Sequence, residues 1–232
     1  MFSLVIPAHN EAENLPGLLE RSRKALPPLA TDWEVVLVDD GSTDGSAETA
    51  RRAMGEDAGR LQVVTHAAKS GYGKTVGDGL RAAKGDYVAF MDGDGQFAPE
   101  DLERLAALVA DGADLAAGWR IRRADPWHRS VVSKTFNFLV RLLYGIRYRD
   151  LDCGFKLMRR SVLDRTAPLI SRAALINTEL YYKATRAGFR VAQTGIPHHP
   201  RLAGVRSGGR LKPILRAVRE LVLLRWRLRG WS

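Results

Sequence analysis

The chain of 232 residues contains a single cysteine, Cys153. One thiol excludes an intramolecular disulfide and suits a reducing compartment. Long apolar runs are also missing. The longest near the C-terminus, Leu221–Leu224, is far below the ~20 residues that a membrane-spanning helix needs. No basic segment precedes the strand-like Phe2–Ile6, so no signal peptide is expected. Internal repeats and low-complexity segments are absent. Acidic residues are scarce in the second half: residues 118–232 carry 25 Lys and Arg against 6 Asp and Glu, whereas residues 1–117 carry 11 against 20.

The net charge of +10 therefore hides an acidic half joined to a basic one. A basic half suits nucleic acid, an anionic membrane or a phosphorylated substrate. Nucleic acid ranks lowest, because the aromatic residues are not interleaved as a stacking platform. Composition alone does not choose between a membrane and a phosphorylated substrate; the lone thiol suits the cytoplasm, and a peripheral place at the cytoplasmic face of a membrane depends on what the basic half binds.

Short apolar runs alternate with amphipathic segments in the first half. Strands are predicted at Phe2–Pro7, Glu34–Asp39, Leu61–Thr65, Tyr87–Asp92 and Leu115–Ala117, with helices near Asn14–Leu26, Ser46–Met54, Lys74–Ala83 and Pro99–Ala110. This alternation predicts an α/β fold, a mostly parallel central sheet with helices on both faces. The second half is less regular. Helices are predicted at Val131–Tyr144 and Glu179–Ala187, a strand at Arg190–Gly195, and a mobile Gly- and Arg-rich loop at Arg201–Lys212. The division expected is a catalytic domain over 1–212, split at 117 into a nucleotide half and an acceptor half, followed by a basic amphipathic helix over 213–232. That helix could lie in a membrane interface or pack on the protein's own core; its composition fits both.

In open parallel sheets ligands bind beyond the carboxyl ends of the strands, where the unusual polar residues fall. Asp92-Gly93-Asp94-Gly95-Gln96 follows the apolar run Tyr87–Met91. Two carboxylates one residue apart can converge on a hard cation such as Mg²⁺ or Mn²⁺, with Gln96 adding a neutral oxygen; the same five residues could also be an Asp/Gly turn. Val35–Val38 runs into Asp39-Asp40, where a carboxylate can accept a hydrogen bond from a base. Asp44 or Ser46 is expected to cap the next helix. Ile6–Glu11 brings His9 and Glu11 to the same edge.

Six segments, "VIPAHNEAENL", "VLVDDGSTDGS", "GYGKTVGDGLRAAKGDYVAFMDGDGQF", "ADLAAGWR", "DPWHR" and "DLDCGFKLMRR", resemble, in order, the family 2 glycosyltransferases of the GT-A fold. The likeness is to the dolichol- or polyprenyl-phosphate hexosyltransferases. The resemblance implies that a hexose moves from a GDP- or UDP-linked donor to a polyprenyl or dolichyl phosphate, with inversion. It implies that Pro7, His9, Glu11, Val38 and Asp40 line the nucleotide pocket, His9 standing where the family often has an aromatic ring. Asp92, Asp94 and Gln96 would hold the metal; Arg120 and Arg129 would meet phosphates; Asp150 would sit near the reacting centre. Arg201, with Arg206 or Arg210, would close over the donor.

The alternatives are a soluble or other acceptor, and a different class of protein. Ala68–Thr75 meets the loose pattern of a phosphate-binding loop ending in Lys74-Thr75, as in a P-loop NTPase. A non-catalytic binding module on the same fold is a third reading.

Overall fold

The computed structural model describes residues 1–121, 127–171, 175–201 and 211–231; the side chains of 127–134 and 211–218 lie outside that description. Seven strands form one sheet: β1 (Phe2–Ala8), β2 (Trp33–Asp39), β3 (Leu61–Thr65), β4 (Tyr87–Met91), β5 (Leu115–Arg120), β6 (Phe155–Arg159) and β7 (Val191–Ile196). Their order is β3-β2-β1-β4-β6-β5-β7. Every residue of β1 and β2 is buried, which explains their unbroken apolar sequence: helices cover both faces of a parallel sheet. Leu4 and Ile6 face one layer and Val5 the other.

The helices are α1 (Leu15–Ala25), α2 (Ser46–Met54), α3 (Tyr72–Ala82), α4 (Leu102–Ala110), α5 (Trp127–Tyr144), α6 (Arg160–Thr166), α7 (Ile176–Arg186) and α8 (Leu211–Arg227). Helices α1, α2 and α4 pack on one face; α3, α5, α6, α7 and α8 pack on the other. Helix α3 comes close enough that a Cβ at Gly79 would collide with Val5 and Val38.

Strand β6 runs antiparallel to both neighbours, while all other pairings are parallel. The carboxyl ends of β1, β2, β3, β4, β5 and β7 therefore share one edge, and β6 starts from that edge. This topology gathers His9–Glu11, Asp40, His66, Asp92–Gln96, Arg120, Asp150–Gly154 and His199–Arg201 from seven stretches of chain.

Several boundaries differ from the sequence-based expectation. Strand β6 and helix α6 were not anticipated. The division at 117 falls inside β5, so both halves share the sheet. Gly45 holds the N-cap position of helix α2, while Asp44 Oδ1 accepts the N–H of Ser46, the first helical residue, at 3.0 Å. Asp44 Oδ2 also accepts the Ala12 N–H at 2.9 Å, and Ser46 Oγ accepts the Glu11 N–H at 2.9 Å. These side chains bind the β1–α1 loop to the β2–α2 loop. On α8, Leu221 and Leu224 are buried in the core, as is Leu228 just beyond it, while Val222, Leu223 and Trp226 are exposed. Residues 202–210, with Arg206 and Arg210, and the side chain of Arg129 lie outside the described residues.

Candidate active site

Asp92 is the first residue beyond β4. Its Oδ1 accepts the Tyr72 hydroxyl at 2.7 Å. Its carboxylate lies over Gly154, where a Cβ would fall inside it. Burial and the charge of Asp94 push the Asp92 carboxyl up to about 7, despite opposition from Tyr72, Arg120 and Lys156. Burial raises Asp94 as well. Two carboxylates held together with too little positive charge are the electrostatic complement of a divalent cation, whose own charge inverts this local logic. Among the described residues no three His, Cys, Asp or Glu side chains converge on a metal position. The pair fits Mg²⁺ or Mn²⁺, which keep open positions for substrate phosphate and water. Gln96 lies on the same turn; its Nε2 donates to the His199 carbonyl at 3.0 Å, which fixes the orientation of the amide.

Arg120, at the end of β5, meets Asp150 in a fork. Its Nε donates to Oδ2 at 2.7 Å and its Nη2 to Oδ1 at 2.5 Å, and its backbone N–H also reaches Oδ2 at 3.0 Å. The side chains are only 11% and 12% exposed. Burial opposes the guanidinium charge, but Asp150 outweighs it and raises Arg120 above its already high value. Asp150 adopts a positive φ of 41°, a backbone cost for a non-glycine residue that the three bonds offset. With both oxygens engaged, Asp150 acts as the holder of Arg120.

Arg201 donates to Glu11 Oε1 at 2.6 Å and lies 3.7 Å from Asp94 Oδ2. It thus joins the loop after β1 to the carboxylate pair. Burial raises the Glu11 carboxyl, against the pull of Asn14 and Arg201. The His9 Nδ1–H donates to the Asp40 carbonyl at 2.8 Å, so this ring braces β1 against β2. Pro7 and Val38 are buried in their strands.

The Asp40 carboxylate faces the next loop. It accepts Ser70 N–H at 2.7 Å, Ser70 Oγ–H at 2.6 Å, His66 Nδ1 at 2.8 Å and Gly71 N–H at 3.0 Å. Burial alone would raise this carboxyl; the bonds from His66, Ser70 and Gly71 outweigh it and hold it well below the usual range. Two amides that a P-loop would aim at phosphate are thus turned onto the protein's own carboxylate. Lys74, the would-be phosphate lysine, pairs with Asp78 at 2.6 Å on the first turns of α3. The NTPase reading fails on both points.

Sequence reasoning passed over Tyr72, Asn177 and Lys156. Tyr72 lies within Ala68–Thr75, which was read only against the pattern of a phosphate-binding loop. Lys156 is completely buried and pulled down to about 8 by burial. A lysine inside an otherwise apolar segment was the available signal.

Comparisons with known proteins bear on the family and the fold. The profile of Glycosyl transferase family 2 matches residues 3–166. The chain is 34% identical to polyprenol monophosphomannose synthase of Mycolicibacterium smegmatis, over 98% of this chain and 87% of that protein. It is 36% identical to undecaprenyl-phosphate 4-deoxy-4-formamido-L-arabinose transferase of Aeromonas hydrophila, over 71% of this chain and only 50% of that protein. Among solved structures, glucosyl-3-phosphoglycerate synthase from Mycobacterium tuberculosis, in complex with Mn²⁺, UDP-glucose and phosphoglyceric acid, superposes with a TM-score of 0.72. That match covers 97% of this chain and 79% of that one at 20% identity, which speaks for the fold alone. A profile spanning most of the chain, together with a full-length relative above 30% identity, settles the classification: the chain belongs to glycosyl transferase family 2.

Proposed function

We propose that the chain transfers a hexose from a GDP- or UDP-linked donor to a polyprenyl phosphate, with inversion and with Mg²⁺ or Mn²⁺ held by Asp92 and Asp94. The observation that carries this is the convergence of that carboxylate pair with the Arg120–Asp150 fork and Arg201 at one sheet edge. The relatives' names supply the acceptor class.

In the reaction, the bond from the anomeric carbon to the donor diphosphate breaks and one to an acceptor phosphate oxygen forms. The leaving nucleoside diphosphate gains negative charge, and a bound cation supplies Lewis-acid stabilisation there. Arg120 and Arg201 present fixed donors to phosphate. Asp150 keeps the Arg120 fork from rotating. The acceptor phosphate is already anionic at neutral pH, so little general-base help is needed.

The acceptor class requires a lipid interface, at the cytoplasmic face of a membrane. No helix of the described residues is long and apolar enough to cross one. Helix α5 exposes Phe138 and Leu142 by 62% and 70%, and α8 exposes Val222 by 53% and Trp226 by 64%. Each pair is four residues apart, so each lies on one helical face. The two helices are tied by Tyr144 Oη–H donating to the Leu221 carbonyl at 2.7 Å and Arg225 Nε–H to that of Leu143 at 2.9 Å. Arg141, Arg147 and Arg149 line an open groove with Phe138 and Leu142. Apolar side chains entering the acyl boundary, with arginines at the headgroups, make a reversible anchor. Each such cation contributes ~1 kcal/mol near an anionic surface.

Co-sedimentation with anionic vesicles tests this surface. The wild type is expected to bind at low salt and to release at high salt, and Leu142→Ser/Trp226→Ser to bind at least tenfold more weakly. Equal sedimentation of both proteins would remove these helices from the contact. Equal transfer to 3-phosphoglycerate and to polyprenyl phosphate would replace the lipid acceptor with a soluble one.

A further inference from the structure

Asp150 holds the Arg120 fork from a left-handed backbone conformation, with φ 41°. Outside glycine such a conformation is costly, and it persists only where the surroundings over-determine it. Around Asp150 they do so from both sides. Before it, the Arg149 N–H donates to Gln193 Oε1 at 2.8 Å, and Gln193 Nε2 donates back to the Arg149 carbonyl at 2.8 Å. After it, the Leu151 N–H donates to Asn137 Oδ1 at 3.1 Å. Gln193 lies on β7 and Asn137 on α5. Two side-chain amides, one from the sheet and one from a helix, therefore grip the backbone on either side of one strained residue.

The grip is itself anchored. Gln193 Nε2 lies 3.2 Å from the Tyr181 hydroxyl, and the Tyr181 ring stacks on Tyr148, the residue before Arg149, with centroids 4.8 Å apart. Asn137 and Leu151 are both buried, so an apolar residue at 137 would leave the Leu151 N–H without this partner inside the protein. The Arg149 guanidinium lies over the Trp119 ring at 5.1 Å. Trp119-Arg120 and Arg149-Asp150 thus meet as two consecutive pairs. Asp150 takes Nε and Nη2 of Arg120. Nη1 meets no protein acceptor among the described residues and is the end left for a phosphate. The guanidinium is planar and its donors are fixed relative to one another, so any rotation of Asp150 swings Nη1 with it.

We infer that Gln193 and Asn137 are positioning residues, which hold Asp150 in its turned conformation and thereby aim Arg120 at the phosphates. They act through Asp150 and not on the substrate. The inference rests on the proposed phosphate role of Arg120. It adds the two residues, each from a different element, that set the direction of that guanidinium.

The test is transfer to polyprenyl phosphate from the donor that the wild type uses among GDP-mannose, UDP-glucose and UDP-N-acetylglucosamine. Gln193→Met keeps the length of the side chain and removes both bonds to Arg149. It is expected to lower kcat about tenfold with little change in donor KM, since small displacements of a positioned group act on this scale. Asn137→Leu is expected to do the same. In an Arg120→Lys background a cation still faces Asp150 but the fork is gone, and neither substitution should lower kcat further. Residues with a merely structural role would lower it by the same factor in both backgrounds. Hydrogen–deuterium exchange gives a readout independent of activity: residues 149–153 should exchange on the order of tenfold faster in each variant, with β1 and β4 unchanged. Should Asn137→Leu fail to fold, Gln193→Met carries both measurements. Wild-type kcat in Gln193→Met, equal losses in the two backgrounds, or unchanged exchange would overturn the positioning role while leaving Arg120 in the reaction. Wild-type kcat in Arg120→Lys would remove Arg120 from the reaction, and the positioning role with it.

Discussion

Asp94→Asn is expected to lower kcat by about 10³-fold, roughly 4 kcal/mol of transition-state stabilisation, the scale of a lost Lewis-acid contribution. The same substitution is expected to leave the thermal midpoint unchanged or slightly higher. Burial and the neighbouring Asp92 make the Asp94 carboxylate an unfavourable charge in the folded chain, as the upward shift of both carboxyls indicates. Neutralising it relieves the repulsion between the two buried carboxyls, which a divalent cation at the pair would otherwise offset. Loss of activity with retained or increased stability is the signature of a group held under electrostatic strain for function. Treatment of the wild type with EDTA, followed by dialysis, should give the same loss, and Mn²⁺ should restore it. Full activity after EDTA and dialysis would remove the cation from the reaction.

The second large effect is expected at the Arg120–Asp150 fork. Arg120→Met should cost stability as well as activity, in contrast to Asp94→Asn. It leaves Asp150 enclosed without its partner, and breaking a buried pair in this way typically costs ~3–5 kcal/mol. Activity should fall by about 10²–10³-fold, as on removal of one fixed donor to a developing anion. Arg120→Met/Asp150→Leu separates the two effects. Removing both charges should recover most of the stability, since no unpaired carboxylate remains, while transfer stays lost. Recovery of activity in that double variant would show that Arg120 serves only to neutralise Asp150. Thermal melts and steady-state kinetics on the three proteins decide the matter.

How far the sequence discloses this site depends on distance along the chain. The carboxylate pair is legible, because Tyr87–Met91 is uniformly apolar and Asp92 and Asp94 follow at once. A buried strand that ends abruptly in charge declares its own carboxyl end. The alternation of strands and helices through Leu115 is legible for the same reason, since strands covered on both faces must be apolar throughout. Strand β6 is not. Lys156 and Arg159 interrupt Phe155–Arg159, and the apolar neighbours of Lys156 are the one local hint that it is buried. The start of α3 was placed two residues late, because Gly71 and Gly73 disguise the first turn, and Tyr72 was lost from view with it.

Pairings across the fold are the least legible. Arg120 and Asp150 are thirty residues apart, and their fork depends on β6 returning antiparallel between β4 and β5. The resemblance to a family placed Arg120 at phosphate and Asp150 near the reacting centre but could not show that one holds the other. Asp44 and Ser46 mislead in the opposite way. They have the composition of a helix cap, and Asp44 Oδ1 does accept the Ser46 N–H, yet Gly45 holds the cap position and their other oxygens bind the backbone of the first loop. Cap chemistry and loop-to-loop bonding use the same side chains, so composition cannot separate them.

The central claim is the transfer of a sugar from a nucleotide to a lipid phosphate at the Asp92/Asp94 edge. Its most direct test incubates the protein with Mn²⁺, polyprenyl phosphate in anionic vesicles, and GDP-mannose, UDP-glucose or UDP-N-acetylglucosamine in turn. Products are followed by mass spectrometry. The expected result is a glycosyl phosphopolyprenol from one donor, formed in equal amount with the free nucleoside diphosphate, and absent with Asp94→Asn. Release of nucleoside diphosphate with the sugar found only in water, or a lipid product undiminished in Asp94→Asn, would contradict it.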